Sequence, residues 1–225
     1  MTVITENSIA EPTAVALGIF DGVHAGHKLI IRKAVKCSEK GLVPAVFTFD
    51  VDSISQKHGK DYEYIFSENY KHKILENMGV KYTYSPKMTD ICKMIGEEFA
   101  YRILCRKMNA KTVVCGENFR FGDKRAGDIK LLEQLGKEFH FEVHPMPMLF
   151  HTHAPISSSR IRHALAEGDI PTANYMLGRP YMISGRVLHG KQLGRTLGFP
   201  TINQRILPPH SKAKPAIEGV YAVKA

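Results

Sequence analysis

Cysteine is scarce in this sequence, and the four residues present (Cys37, Cys92, Cys105 and Cys115) lie far apart. None of them forms a Cys-x-x-Cys pair, which argues against a zinc ribbon or a redox dithiol and suits a reducing cytosol. The sequence also lacks a run of about 20 apolar residues, the length that crosses a bilayer. Its N-terminus has neither the basic start nor the apolar core of a signal peptide. These absences predict a cytoplasmic protein without a membrane partner.

Positive charge, by contrast, is abundant. The chain has 31 Lys and Arg against 22 Asp and Glu, a formal net charge of +9. The excess is concentrated after residue 180, where seven basic residues accompany a single acid, Glu218. A basic tail is typical of proteins that bind nucleic acid or small phosphorylated ligands. Because these bases are interleaved with glycines and lack regularly spaced aromatic partners, we favour small phosphorylated ligands over nucleic acid.

Apolar runs and helical patterns alternate over residues 1–180, as a parallel α/β sheet requires. After residue 181 glycines become frequent and helical periodicity stops, which indicates a second, all-β unit over residues 181–225. That stretch is shorter than a barrel that closes unaided, so we expect an incomplete unit whose sheet edges permit self-association. The predicted strands are 14–20, 43–49, 80–84, 110–116 and 141–147, then 182–188 and 219–225 in the second unit. The predicted helices are 27–41, 67–79, 90–108, 128–139 and 157–167.

One phosphate-binding pattern, Gly-Ile-Phe-Asp-Gly-Val-His-Ala-Gly-His, follows the first predicted strand at residues 18–27. The carboxyl ends of parallel strands are where open α/β sheets bind ligands. Glycines allow a phosphate to approach the backbone, and the helix that follows offers unpaired N–H groups to an anion. Here His24 and His27 can donate hydrogen bonds to phosphoryl oxygens. The alternative is a glycine-rich turn with two surface histidines.

A second such pattern, Ile-Ser-Ser-Ser-Arg-Ile-Arg, occupies residues 156–162 at a predicted helix start. Three hydroxyls, the helix N–H groups and two guanidinium groups together suit a phosphate. Ordinary N-capping by Ser157 or Ser158, with solvated arginines, is the alternative.

These two patterns together resemble the His-x-Gly-His and Ile-Ser-Ser-Thr-x-x-Arg motifs of the nucleotidyltransferase superfamily, which is built on a Rossmann-like sheet. Within it, residues 18–27 resemble the signature of bacterial FAD synthetases, and Cys-Gly-Glu-Asn-Phe-Arg-Phe-Gly at 115–122 resembles their flavin-site loop. Residues 177–181, 185–203 and 219–223 resemble the beginning of the riboflavin kinase half of the same enzymes.

The resemblance implies transfer of AMP from ATP to FMN with Mg²⁺, and phosphorylation of riboflavin by the kinase half. It implies catalytic roles for His24, His27 and Arg162. It implies magnesium and ATP-phosphate binding in the kinase half by Thr201 and Asn203. The nucleotide- and flavin-binding residues it implies are Gly18, Phe20, Asp21, Gly22, Gly26, Asn118, Phe119, Phe121, Ser157, Ser158, Ser159 and Arg160.

Three departures from the family pattern bear on these expectations. The loop after Phe49 lacks the usual proline and histidine stretch, and Ser159 replaces a threonine. The acidic general base of the kinase falls beyond Ala225, so we expect no kinase activity from these residues alone. Two other functions remain open: transfer to another phosphorylated acceptor, such as nicotinamide mononucleotide or phosphopantetheine, and flavin or nucleotide binding without turnover. Phe119 and Phe121 also suit a plain core role.

Overall fold

A six-stranded parallel sheet forms the centre of the protein in a computed structural model. Its strands are β1 (Thr2–Ile4), β2 (Thr13–Leu17), β3 (Val43–Phe47), β5 (Tyr82–Tyr84), β6 (Ala110–Gly116) and β7 (Glu142–Met146). Across the sheet they follow the order β1-β5-β3-β2-β6-β7. The structure describes residues 1–5, 7–50, 53–54, 63–189, 198, 203–205, 214–215, 217, 221 and 223. The sheet confirms the predicted Rossmann-like α/β class.

Helices connect these strands and follow the last of them, and all but the final helix, at Ile170–Leu177, fall in segments that the sequence predicts as helical. They are α1 (Ala25–Lys36), α2 (Glu68–Asn77), α3 (Met88–Ile91), α4 (Gly96–Glu98), α5 (Ile129–Phe139), α6 (Ser158–Ala166) and α7 (Ile170–Leu177). Instead of one helix over 90–108, the chain forms α3, then α4, which continues into a π-helix at Phe99–Lys107. The predicted periodicity was right, because buried side chains still follow one face of the π-helix, but the helix type was not predicted.

The sheet is covered on both faces, which explains why every residue of β2 is buried. One apolar cluster packs α1, α6 and α7 against one face, with Ile31, Ile161 and Met176 among its members. The second cluster packs the π-helix and α5 against the other face, with Leu104 and Leu132 among its members. This double covering leaves the carboxyl edge of the strands as the place for a site.

Short strands accompany the main sheet. β8 (Phe150–His151) and β9 (Ala154–Pro155) form a hairpin ahead of α6. After residue 181, β10 (Arg186–Leu188) pairs antiparallel with β11 (Asn203–Arg205), consistent with a partial barrel. β12 (Lys214–Pro215) pairs in parallel with β4 (Glu63–Tyr64). The predicted strand 219–225 falls, apart from residues 221 and 223, outside the described residues, and the boundary at residue 180 stays a prediction.

Among the helices that the structure describes, none is long and apolar enough to cross a bilayer.

Candidate active site

The two predicted phosphate-binding patterns lie side by side at the carboxyl edge of the sheet, and Asp21 joins them. The Arg162 guanidinium donates to the Asp21 carboxylate over 3.0 Å. The Ser158 hydroxyl donates to the Asp21 backbone carbonyl over 2.9 Å. The other carboxylate oxygen of Asp21 accepts a hydrogen bond from the Ile65 N–H at 3.0 Å. The helix that starts at Ser158 is therefore fixed against the turn that follows β2.

That turn has an unusual backbone. Phe20, Gly22 and Val23 have positive φ angles of 52°, 76° and 39°, so the chain leaves β2 through a left-handed bend before α1. At Gly22 a Cβ would approach the Ile65 side chain to 2.9 Å, and at Gly18 it would meet the Phe20 ring at 2.9 Å. Both glycines are therefore required by the shape of the turn. Left-handed non-glycine residues cost about 1–3 kcal/mol each, so surrounding contacts must hold them.

The bend brings the two histidines into contact. His24 caps α1, and its Nδ1 accepts a hydrogen bond from the His27 N–H at 3.3 Å. An accepting Nδ1 places the proton of a neutral ring on Nε2, which is then the donor. The rings stack with centroids 3.6 Å apart and planes 18° apart, while the Phe20 ring packs edge-on against His27 at 5.1 Å. A Cβ at Gly26 would come within 3.3 Å of the His24 ring, so a small residue suits that position.

Both imidazoles are neutral at physiological pH. Burial lowers the pKa of His24 to about 4, and the nearby charge of Arg179 acts in the same direction. Burial also lowers the pKa of His27 well below its usual value, helped by repulsion from a protonated His24 ring and by the charges of Lys71 and Arg179. A stacked pair of protonated rings would repel, so this arrangement suits hydrogen-bond donors rather than cations.

The positive charge of the site comes instead from residues around the histidines. Arg179 donates to the carbonyls of Gly22 and Val23. Lys71, only 2% exposed, donates to the Phe49 carbonyl at 3.2 Å and pairs with Glu68 at 2.8 Å. Together with Arg162 and the N-termini of α1 and α6, these groups favour a polyanionic ligand.

Sequence reasoning missed two of these cations. Arg179 belongs to the Leu-Gly-Arg-Pro-Tyr segment, which resembles the kinase half. Lys71 precedes Ile74 and Leu75 on the buried face of α2. The sequence does contain a signal for Lys71, because a lysine at a position where helical periodicity expects an apolar residue indicates a buried, paired charge.

The remaining residues of the serine–arginine motif act mainly on the local backbone. Ser157 caps α6 by accepting a hydrogen bond from the Arg160 N–H at 3.3 Å. The Arg160 guanidinium donates to three carbonyls of the β8–β9 hairpin, those of His151, Ala154 and Pro155. Ser159 is exposed. The predicted nucleotide contacts of Arg160 and Ser159 stay predictions, and a solvated Arg160 is excluded.

The predicted flavin loop follows β6, the neighbour of β2, and so begins at the same edge of the sheet. Asn118 is exposed and Phe119 half-buried. The Phe119 ring stacks on Phe121 with centroids 5.9 Å apart. Phe121 is 5% exposed and packs against Phe99, which supports a core role for it. Of the three predicted flavin-binding residues in this loop, Asn118 and Phe119 are therefore the ones that a ligand can reach.

The structure describes only one of the two predicted kinase-half magnesium residues. Thr201 lies outside the described residues. Asn203 is exposed in β11, where it pairs with Leu188. Among the described residues, no group of three or more His, Cys, Asp or Glu side chains is placed to hold a metal ion. The magnesium roles stay predictions.

Neutral histidines, arginines and two helix N-termini lie together at the carboxyl edge of a parallel sheet, an arrangement that suits the phosphate chemistry of a nucleotidyltransferase. The family model described as FAD synthetase matches residues 6–160, and the one described as riboflavin kinase matches residues 177–225. The chain therefore belongs to the FAD synthetase family.

Its relatives agree with this assignment. The bifunctional riboflavin kinase/FMN adenylyltransferase of Buchnera aphidicola subsp. Schizaphis graminum is 34% identical over 94% of this chain and 68% of its own length. The Escherichia coli K12 protein of the same name is 31% identical over 95% of this chain and 68% of its own. A crystal structure described as a macrolide-efflux protein from Streptococcus pneumoniae superimposes with a TM-score of 0.80, at 28% identity, over 98% of this chain and 72% of that one. The last likeness supports the fold.

Proposed function

We propose that this protein transfers AMP from ATP to FMN, producing FAD and pyrophosphate. Family membership and the names of the relatives support this reaction. The observation that carries the proposal is the set of hydrogen bonds to Asp21. They hold the turn at residues 18–27 (the histidine turn) against α6, whose first residues carry the serine–arginine motif.

In the proposed reaction an oxygen of the FMN phosphate attacks the α-phosphorus of ATP. The bond from that phosphorus to the bridging oxygen of the β-phosphate breaks, and pyrophosphate leaves. No side chain becomes covalently attached, so positioning and charge stabilisation supply the rate. His24 and His27 donate to the phosphoryl oxygens. Ser158 binds phosphate through its backbone N–H at the start of α6, and Arg162 binds it through its guanidinium.

Magnesium enters this proposal as part of MgATP. The described residues offer no carboxylate cluster for an ion, and Mg²⁺ is commonly held by substrate phosphates with few protein ligands. On the flavin side, the exposed Asn118 and the half-buried Phe119 contact FMN. In the kinase half, we assign magnesium and ATP-phosphate binding to Thr201 and Asn203. The partners are thus nucleotides and flavins, and the compartment is the cytoplasm.

The first test is FAD and pyrophosphate formation from FMN and MgATP by the purified protein. We expect His27→Ala to lower kcat about 10²- to 10³-fold, as removal of one transition-state donor does elsewhere. His163→Ala is the matched control, because His163 is an exposed histidine of α6. Undiminished activity in His27→Ala would remove the role assigned to that ring.

The acceptor is tested separately by thermal shift. FMN should stabilise the protein, whereas nicotinamide mononucleotide and phosphopantetheine should not. Stabilisation by one of these other acceptors, with turnover, would move the protein to a different transferase activity. FMN or ATP binding without pyrophosphate release would indicate a binding module.

A further inference from the structure

Residues 178–181, called the linker below, lie against the histidine turn. Arg179 belongs to the region that matches riboflavin kinase, residues 177–225. Its guanidinium nevertheless donates to the carbonyls of Gly22 and Val23, which are 157 and 156 residues away in sequence. Next to it, the Lys28 ammonium donates to the Gly178 carbonyl at 3.1 Å. Two hydrogen-bonded contacts therefore tie the linker to the turn and to α1.

Aromatic packing holds this arginine in place. The Arg179 guanidinium lies over the Phe66 ring, 5.0 Å from its centroid. Phe66 is 2% exposed and also stacks on Tyr181, with centroids 5.8 Å apart and planes at 17°. The Tyr181 N–H donates to the Asn174 side chain at 2.6 Å, which fixes the linker to α7. Arg179 is thus held by an aromatic ring as well as by the carbonyls of the turn.

The carbonyls that Arg179 binds belong to the strained part of the turn. Gly22 and Val23 both have positive φ angles, and a β-branched residue in that region is a true outlier. Such a conformation persists only where surrounding contacts determine it. One planar guanidinium bonded to two successive carbonyls fixes the direction in which the chain enters His24.

We propose that Arg179 is a positioning residue for adenylyl transfer: by holding the Gly22 and Val23 carbonyls it orients His24 and His27 toward the substrate phosphates. This inference rests on the proposed function. It means that the adenylyltransferase site is completed by the first residues of the kinase-like segment. The two halves are then not independent modules.

Charge supports the same assignment. Arg179 contributes to lowering the pKa of both His24 and His27, and of Lys28. Removing this cation should therefore raise the pKa of the histidines toward the usual value. The charged groups around the histidine pair are Asp21 in the turn, Lys28 in α1, Glu68 and Lys71 in α2, Arg162 in α6, and Arg179.

The test compares Arg179→Met and Arg179→Lys in the full chain. We expect Arg179→Met to lower kcat about 10- to 100-fold with KM for ATP changed less than about threefold. Its acid limb in the pH profile of kcat should move to higher pH, and amide hydrogen exchange over residues 18–27 should accelerate. Arg179→Lys should restore the acid limb but only part of kcat, because an ammonium lacks the planar guanidinium that lies over the Phe66 ring.

Arg106→Met serves as the control, since Arg106 is exposed on the π-helix at the other face of the sheet. Wild-type kcat, pH profile and hydrogen exchange in Arg179→Met would overturn the proposal. If Arg179→Met fails to fold, Arg179→Lys decides: reduced kcat with faster exchange supports the proposal, and wild-type values overturn it. If the wild-type protein forms no FAD, the proposed function is wrong. The hydrogen-exchange measurement would then still test whether Arg179 stabilises the turn through the Gly22 and Val23 carbonyls.

Discussion

At the scale of single residues, Asp21 connects the most distant parts of the site. Its side chain accepts from Ile65 and Arg162, and its carbonyl accepts from Ser158. The carboxylate is buried, and the Arg162 side chain is 23% exposed. Removing one partner of such an ion pair leaves the other charge poorly solvated.

We therefore predict that Asp21→Asn lowers the free energy of unfolding by about 2 kcal/mol. This loss is smaller than that for breaking a fully buried ion pair, because the Arg162 side chain is partly exposed. Urea denaturation followed by circular dichroism measures this change. Glu138→Gln, an exposed position on α5, should leave the unfolding curve within about 0.5 kcal/mol. Equal stability of Asp21→Asn and the wild type would mean that the ion pair contributes little.

His24 should make the stability of the protein depend on pH in the acid range. Its pKa falls from 6.5 in the unfolded chain to about 4 in the folded protein, mainly because of burial. Between these values the unfolded state binds more protons than the folded state, so stability falls as the pH drops from 6.5 to 4. The stability lost through this one group is about 3 kcal/mol.

The measurement is the free energy of unfolding at about pH 7 and about pH 4 for the wild type and His24→Asn. Asparagine keeps an N-cap acceptor but does not titrate in this range. The wild type should lose about 3 kcal/mol more than the variant. Parallel losses in the two proteins would show that His24 is not the group responsible.

At the scale of secondary structure elements, α5 contains a glycine, Gly136, whose replacement by alanine should destabilise the protein although alanine has the higher helix propensity. Gly136→Ala would normally stabilise a helix by about 1 kcal/mol. Here a Cβ would meet the Phe141 backbone carbonyl at 2.6 Å. We predict a net destabilisation of about 1–3 kcal/mol from overpacking, measured by urea denaturation. Lys137→Ala, exposed on the same helix, is the control, and a stabilised Gly136→Ala would contradict the close approach of the Phe141 carbonyl to α5.

Most elements of the sheet were predictable because local pattern and burial agree. Val113 and Val114 lie in an apolar run that becomes β6, and Asp128 and Ser157 cap the helices that their side chains predict. Strand β1 was missed because its burial is slight and it pairs with β5 alone. The π-helix was missed because its buried residues recur four apart, a spacing that an α-helix also produces. These residues are Phe99, Ala100, Ile103 and Leu104.

The residues of the candidate site also fall into those that the sequence predicted and those that it did not. The motif residues His24, Ser158 and Arg162 were predicted from their local patterns, and the structure places them together. Arg179 was not, because its partner Gly22 lies 157 residues away. Lys71 was missed although its place on the buried face of α2 is visible in the sequence, because its contact with the Phe49 carbonyl is not. Contacts over such separations are set by how helices pack on the sheet, which a single sequence does not reveal.

At the scale of the whole molecule, Phe66 links α2, the linker and the histidine turn. It packs against Tyr70, Tyr181 and Arg179 and is almost fully buried. We predict that Phe66→Ala costs about 3–4 kcal/mol of stability, because removal of a large aromatic side chain leaves a cavity. It should also speed tryptic cleavage after Arg186, which follows the linker.

Urea denaturation and a timed trypsin digest measure the two effects. Phe150→Ala is the matched control, because Phe150 is 59% exposed in β8. We expect the control to match the wild type in both assays. An unchanged digest for Phe66→Ala would show that the linker is anchored elsewhere.

The long reach of the contacts at Asp21 and Gly22 has a consequence for biosynthesis. Arg162 and Arg179 follow their partners by 141 and 157 residues. At about 5–20 residues per second, a ribosome adds these arginines roughly 7–30 seconds after the histidines. During that interval the nascent chain has the two stacked histidines without the arginines that bond to their turn. Under the proposed function, catalytic competence is therefore acquired late in translation, once residue 179 has been made.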